Sequence, residues 1–201
     1  MSTALSVDVG ELRRVVGEMY CEVAQEPAQV FHFPTGRAWA TDLGYDPELL
    51  SRVPEGAVES FAGVANPFSR GGLQLGERVV DLGCGAGTDV LMASQMVGPT
   101  GRVIGIDMTA AMVAKARANA AAMGATNVEI VEGLVERLPL SDESVDVVIS
   151  NGVIDLVPDK DAVFAEILRV LRPGGRIQIA DVTLQNPVSE GAKRDIDLWA
   201  Q

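Results

Sequence analysis

The stretch Val79-Val80-Asp81-Leu82-Gly83-Cys84-Gly85-Ala86-Gly87-Thr88-Asp89 sets the frame for the rest of the chain. An apolar run over 79–82 stops at a glycine cluster, and a helical pattern follows. This predicts a strand, a tight turn and a helix start. Glycines at alternate positions let the backbone bend sharply and approach a ligand closely. The helix behind such a turn presents unpaired N–H groups and the positive end of its dipole. The spacing is Gly83-x-Gly85-x-Gly87, with Asp81 ahead of it. A dinucleotide fingerprint needs glycine where Thr88 stands, which argues against a nicotinamide-dependent oxidoreductase.

Working outward, the chain alternates regularly from Glu77 onward. Strands are predicted over 78–82, 102–106, 128–131, 145–150 and 176–181. The helices between them are expected over 88–97, from a Thr109 cap to Gly124, and over 160–171. The middle helix carries Met112, Ala116, Ala120 and Met123 on one stripe. Arg172-Pro173-Gly174-Gly175 stops the last one. Repeated β–α units with apolar strands imply an α/β fold: a Rossmann-like, doubly wound, mainly parallel sheet covered by helices. Ahead of this lies a region of different character. Leu12, Val15, Val16, Met19 and Val23 predict an amphipathic helix over 8–25. Phe31-His32-Phe33-Pro34-Thr35-Gly36-Arg37 reads as a loop, either packed or solvated on its own or serving as a flap over a ligand. Short helical turns follow over 46–62. Residues 1–74 are therefore expected as a helical and lid extension ahead of a main domain over 75–201.

With 201 residues and 47% hydrophobic content, the chain can bury a sizeable core. A formal net charge of −12 leaves no basic stripe for phosphates, so nucleic acid is not an expected partner. No apolar run reaches the ~18 residues of a membrane span, and the first ten residues lack a secretory signal pattern. Two cysteines, Cys21 and Cys84, build neither a disulfide framework nor a metal cluster, so no metal is expected and a reducing cytoplasm is the expected location.

In open parallel sheets, ligands bind at the carboxyl ends of the strands where the strand order reverses. The loops after strands one, two, four and five are expected to converge there. Asp107 ends strand two, 20 positions after Gly87, where a carboxylate accepts both hydroxyls of a ribose. Met108 lies either against an adenine face or in the packing of the sheet edge. Gly133-Leu134-Val135-Glu136 reaches an adenine edge through backbone groups. Asn151 ends strand four, either facing the reacting end of a ligand or forming a turn.

These segments together resemble the class I S-adenosylmethionine-dependent methyltransferases. The matching stretches are 79–87, 103–108, 132–139, 146–151 and 168–181, the last containing Arg169-Val170-Leu171-Arg172-Pro173-Gly174-Gly175. Gly105-Ile106-Asp107-Met108-Thr109, Ile149-Ser150-Asn151, Leu156-Val157-Pro158-Asp159-Lys160 and Asp89 are similar to arsenite methyltransferases. The resemblance implies S-adenosyl-L-methionine as cofactor, held by Asp81, Gly83, Cys84, Gly85, Gly87, Asp89, Asp107, Met108, Leu134, Val135, Asn151 and Gly152. It implies methyl transfer to a small-molecule acceptor by a monomer or homodimer. A non-catalytic, regulatory cofactor-binding protein and an arsenite methyltransferase are the alternatives. The chain departs from the arsenite group at its thiolates. One family cysteine follows the Ser-Asn of strand four, where Gly152 stands; another precedes an Asn-Pro turn comparable to Gly63-Val64-Ala65-Asn66-Pro67; a third lies beyond the last residue here. The resemblance also implies a seven-stranded sheet, of which five strands are visible and the last two are expected to be absent, after a helix over 192–201. No catalytic residue is assigned; His32, Asp155 and Tyr20 are candidates for a base by position alone.

Overall fold

In the computed structural model the sheet order is β3-β2-β1-β4-β5, every pairing parallel. The strands are β1 (Arg78–Leu82), β2 (Arg102–Asp107), β3 (Val128–Glu132), β4 (Val145–Asn151) and β5 (Leu171–Ala180). The structure describes residues 7–183, Gln185, Ser189 and residues 195–199. The order reverses between β1 and β4, so their carboxyl ends part and leave a crevice. Alternate side chains serve opposite faces. Val79, Val103, Val147 and Ile149 pack with Val90 and Leu91 of α5 (Thr88–Val97) and with Val113 and Ala116 of α6 (Ala110–Met123). Val80, Leu82 and Val148 pack with Val163, Ile167 and Val170 of α7 (Lys160–Val170) on the other face. Each such side chain contributes about 1.5–3 kcal/mol by leaving water. That buried sandwich holds the strand ends still, which is what the site requires.

Two expectations differ in detail. β5 begins five residues earlier than 176, because Val145 pairs with Leu171 while Val147 already pairs with Arg176. The chain around Pro173-Gly174-Gly175 bows out to absorb the shift, and Gly174 takes φ +83° to do so. Thr109 stands at the N-cap of α6 but its side chain makes no capping bond. The Asp107 carboxylate takes its N–H instead, at 2.8 Å.

Ahead of the sheet stand α1 (Val9–Gln25), α2 (Gly36–Asp42), α3 (Pro47–Ser51) and α4 (Glu55–Val58). The α1 helix starts cleanly because Asp8 accepts from Glu11 N at 3.0 Å. Lys115 Nζ, on α6, ties this region to the sheet domain. It donates to Ala24 O at 2.9 Å, Glu59 Oε1 at 2.7 Å and Ser60 Oγ at 2.9 Å. Thr88 Oγ1 adds a bond to Ala57 O at 3.0 Å. Of the expected helix over 192–201, α8 (Ile196–Trp199) is helical and joins the apolar cluster of Leu12 and Val16; residues 192–194, 200 and 201 lie outside the described residues. No helix among the described residues is long and apolar enough to cross a membrane.

Candidate active site

The carboxyl ends of β1, β2, β3 and β4 open into one cavity. Its opposite wall is Leu12, Arg13, Val16 and Tyr20 of α1 together with residues 60–63. None of the described residues after β5 lines it; Asp181 turns back to accept from Ile154 N at 3.0 Å. The loop after β3 takes that place in the wall.

The glycine turn works through backbone shape. Gly83, Gly85 and Gly87 have φ of +68°, +52° and +96°, in the left-handed region that side chains resist. A Cβ on Gly83 would sit 2.3 Å from Val153 Cγ2, so this glycine lets β1 and the loop after β4 meet. A Cβ on Gly85 would meet nothing within 4 Å, because that side of the backbone faces the cavity. Gly87 is not part of the lining. It starts α5 and lies against α6, where an added Cβ would be 3.4 Å from Ala116 Cβ.

Three buried carboxylates stand around the turn. Asp107 is oriented by two backbone donors: Gly85 N to Oδ2 at 2.9 Å and Thr109 N to Oδ1 at 2.8 Å. Asp89 accepts from Tyr45 OH at 2.6 Å through Oδ1 and from Asn151 Nδ2 at 3.0 Å through Oδ2. Asp81 is 2% exposed, and its Oδ2 has no hydrogen-bond partner among the described residues. Burial pushes all three carboxyls above the usual range. Asp81 moves furthest in character, since the charges of Asp89 and Asp107 add to its burial. Asp89 rises to about 6, its two donors opposing the effect of burial. Asp107 rises less freely because the Thr109 and Gly85 N–H groups favour its ionised form. Such a cluster favours a cationic ligand, which would relieve the mutual repulsion.

Met108, Leu134, Val135 and Gly152 also line the cavity. Met108 is half-buried and packs toward Leu12 and Val16, so the sheet-edge and ligand readings apply to one side chain at once. Cys84 lines the turn, but burial and the charges of Asp107 and Asp81 push its thiol well up, so it stays protonated. Asn151 reaches the lining, yet its amide is engaged by Asp89, Tyr45 and the backbone of residues 64 and 65. Neither a simple turn nor a free ligand donor describes it.

The base candidates separate. His32 is exposed, meets Phe33 edge-on at 4.6 Å and lies outside the lining, while Phe31 and Phe33 of its loop pack against Val23, Ala86 and Met112. Tyr20 lines the cavity; burial and the charges of Asp155, Asp107 and Asp181 keep it a phenol. Asp155 faces Asp181 rather than the lining, and burial with that neighbour lifts it to about 7. Sequence reading missed Tyr45, Phe61 and Gly63, and the ion pair from Arg13 to Glu136 at 2.9 Å that joins α1 to the loop after β3. None sits in a motif; an aromatic residue between short polar turns was the one visible sign of Tyr45.

Comparison with known proteins agrees with this geometry. Residues 73–200 match the family model described as "Methyltransferase domain". An arsenite methyltransferase from Halobacterium salinarum is 48% identical over 155 residues, covering 77% of this chain and 39% of that protein. The crystal structure of CrArsM, an arsenic(III) S-adenosylmethionine methyltransferase from Chlamydomonas reinhardtii, superposes with a TM-score of 0.62 at 34% identity, over 79% of this chain and 53% of that one. A SAM-dependent methyltransferase from Aquifex aeolicus gives a TM-score of 0.55 at 25% identity, over 77% and 78%. The chain spans less than half the length of the curated relatives it matches. Sheet order, glycine turn, carboxylate cluster and these likenesses agree: the chain belongs to the methyltransferase-domain family, among the class I S-adenosylmethionine-dependent methyltransferases of the arsenite methyltransferase-like group.

Proposed function

We propose that this protein binds S-adenosylmethionine at the β1–β4 crevice and directs its methyl group to a small-molecule acceptor. The observation that carries this reading is the buried, unpartnered Oδ2 of Asp81 beside an open glycine face in a cavity ringed by carboxylates. The residues present fit the cofactor. Asp81 offers an acceptor for an ammonium group. Asp107 uses one lone-pair site on each oxygen for Gly85 and Thr109, which leaves one on each for the two ribose hydroxyls. The space over Gly85 admits a ligand where any side chain would intrude. Met108, Leu134 and Val135 supply an apolar slot for a purine. When bound, the cofactor supplies an electrophilic methyl carbon. The chain's own part is to hold the two reactants in line and keep water out, and orientation of that kind supplies up to roughly 7–11 kcal/mol. A general base is required only for an acceptor that must lose a proton.

Arsenite is the second reading, favoured by the names of the relatives. Against it, a Cβ at Gly152 would lie 3.0 Å from Val64 Cγ1. Apolar groups therefore meet in the two segments where the resemblance assigns soft thiolate ligands. A cytoplasmic location belongs to the same proposal and fits two free thiols.

Calorimetry with S-adenosylhomocysteine and NADH tests the reading. The first is expected to bind and the second not; the reverse would refute it. Formation of S-adenosylhomocysteine that depends on added arsenite would move the acceptor to the second reading. Binding without turnover on any metabolite pool would favour a regulatory protein.

A further inference from the structure

The side chain of Asn151 is fully spent inside the protein. Its Oδ1 accepts from Val64 N at 2.8 Å and Ala65 N at 3.2 Å. Its Nδ2 carries two protons and has Ala65 O at 2.9 Å, Asp89 Oδ2 at 3.0 Å and the Tyr45 hydroxyl oxygen at 3.0 Å within reach. The single Tyr45 proton goes to Asp89 Oδ1 at 2.6 Å. One amide thus joins the end of β4, the first turn of α5, the stretch between α2 and α3, and the backbone just after the cavity wall. The approach is close: a Cβ on Gly63 would lie 2.3 Å from Asn151 Nδ2 and 2.6 Å from Phe61 Cζ. Residues 61–63 line the cavity opposite Gly152 and Val153. The latch is satisfied donor for acceptor only while Asp89 is ionised. The groups facing that carboxylate are Tyr45, Asn151 and the neighbouring acid Asp81.

We infer that Asn151 is a positioning residue: it latches the 63–65 segment to Asp89 and Tyr45, and so sets the wall of residues 61–63 against the transfer end of the cavity. It touches no reactant in this role. The effect on ligand rests on the function proposed above; the latch itself does not.

The test is amide hydrogen exchange at Val64 and Ala65, read as protection factors, together with S-adenosylhomocysteine affinity by calorimetry. Asn151→Ala should lose about tenfold or more of the protection at those two amides, leave Val80 and Val148 protected, and weaken the ligand by about tenfold. Gly63→Ala should reach the same result from the other side of the contact. Tyr45→Phe, which removes one oxygen only, should give a smaller loss and keeps the test readable if Asn151→Ala does not fold. Asn151→Asp separates positioning from mere packing. Beside Asp89 it is a second carboxylate, so protection at 64 and 65 should be poor at pH 7 and recover toward pH 5, where a shared proton restores a donor. Unchanged protection in Asn151→Ala, Gly63→Ala and Tyr45→Phe would overturn the latch. Lost protection with unaltered affinity, or no pH response in Asn151→Asp, would overturn its positioning role. Wild-type protein that fails to bind S-adenosylhomocysteine would sink the methyl-donor reading and leave the exchange results to stand alone.

Discussion

Replacing Asp107 probes the proposed nucleoside grip directly. Its carboxylate orders Gly85 N and Thr109 N, at 2.9 and 2.8 Å, and keeps one lone-pair site per oxygen for the ligand. Asp107→Ala therefore does two things. It leaves two backbone donors without their partner at a residue 8% exposed, which costs the fold about 1–3 kcal/mol per group unless water enters. It also removes the acceptors for two ribose hydroxyls, expected to weaken S-adenosylhomocysteine by about 1–3 kcal/mol, or roughly 5- to 150-fold. The two effects part company when the ligand is varied. Calorimetry with S-adenosylhomocysteine and with its 2′,3′-dideoxy analogue, on both proteins, forms a thermodynamic cycle. The substitution should cost the first ligand its full penalty and the second almost none. Equal losses for both ligands, or an unaltered affinity for the first in a folded variant, would refute the ribose assignment.

Other expectations follow from the same geometry. Gly85→Ala should cost the fold only the left-handed penalty, about 1–2 kcal/mol, yet abolish ligand binding by filling the open face. Gly83→Ala meets Val153 as well and should destabilise by about 3 kcal/mol or more; comparable melting points for the two would contradict the contact. Lys115→Met strips one ammonium from three acceptors and should lower stability by about 1–3 kcal/mol, roughly 2–12 °C in Tm, with limited proteolysis releasing α1 first. The pH dependence has a definite sign. Asp89 rises from 3.8 to about 6 on folding and Asp155 to about 7, so the folded chain holds those protons longer than the unfolded one. Their contribution to stability is then greatest in acid and declines as pH rises from about 4 to 7. The acids held low by arginines, Glu11, Glu77 and Glu166, act oppositely but complete their change below about pH 5. Melting scans of the free protein should show Tm falling between pH 5 and 7, and a cationic ligand should restore more of it at pH 7 than at pH 5. A Tm that rises across that interval would be inconsistent with the buried acid cluster.

Much of the sheet was legible because each strand is a short apolar run ended by a turn former. Arg78–Leu82 was read to the residue, and β2, β3 and β4 each run one residue further than expected. The start of β5 escaped because it depends on the partner strand: nothing local tells Arg172 that Val145 and Val147 share a shifted register. The strand-end residues Asp81, Asp107 and Gly152 were legible as a group, since topology alone brings them together. The opposite wall was not. Tyr45 reaches Asp89 across 44 positions and Asn151 across 106, and Arg13 reaches Glu136 across 123. Pairings of that range leave no periodic trace, and each partner alone looks like an ordinary polar surface residue. Asn151 shows the limit most clearly: strand-end placement pointed to it, but only its five bonds to four residues distant in sequence reveal how its amide is engaged within the protein.

The chamber has two builders. Strand ends in fixed register form one side, while the other comes from a helix and a loop that take no part in the sheet. On the proposed reading, exchanges at Phe61 or Ala62 would reshape the berth for an acceptor and leave the strand-end cradle in place, whereas Leu12 and Val16 also pack against Met108 of the purine slot. On the same reading, a library at Phe61 and Ala62 would tune the acceptor while sparing the donor, and it is the natural starting ground for turning this scaffold toward new chemistry.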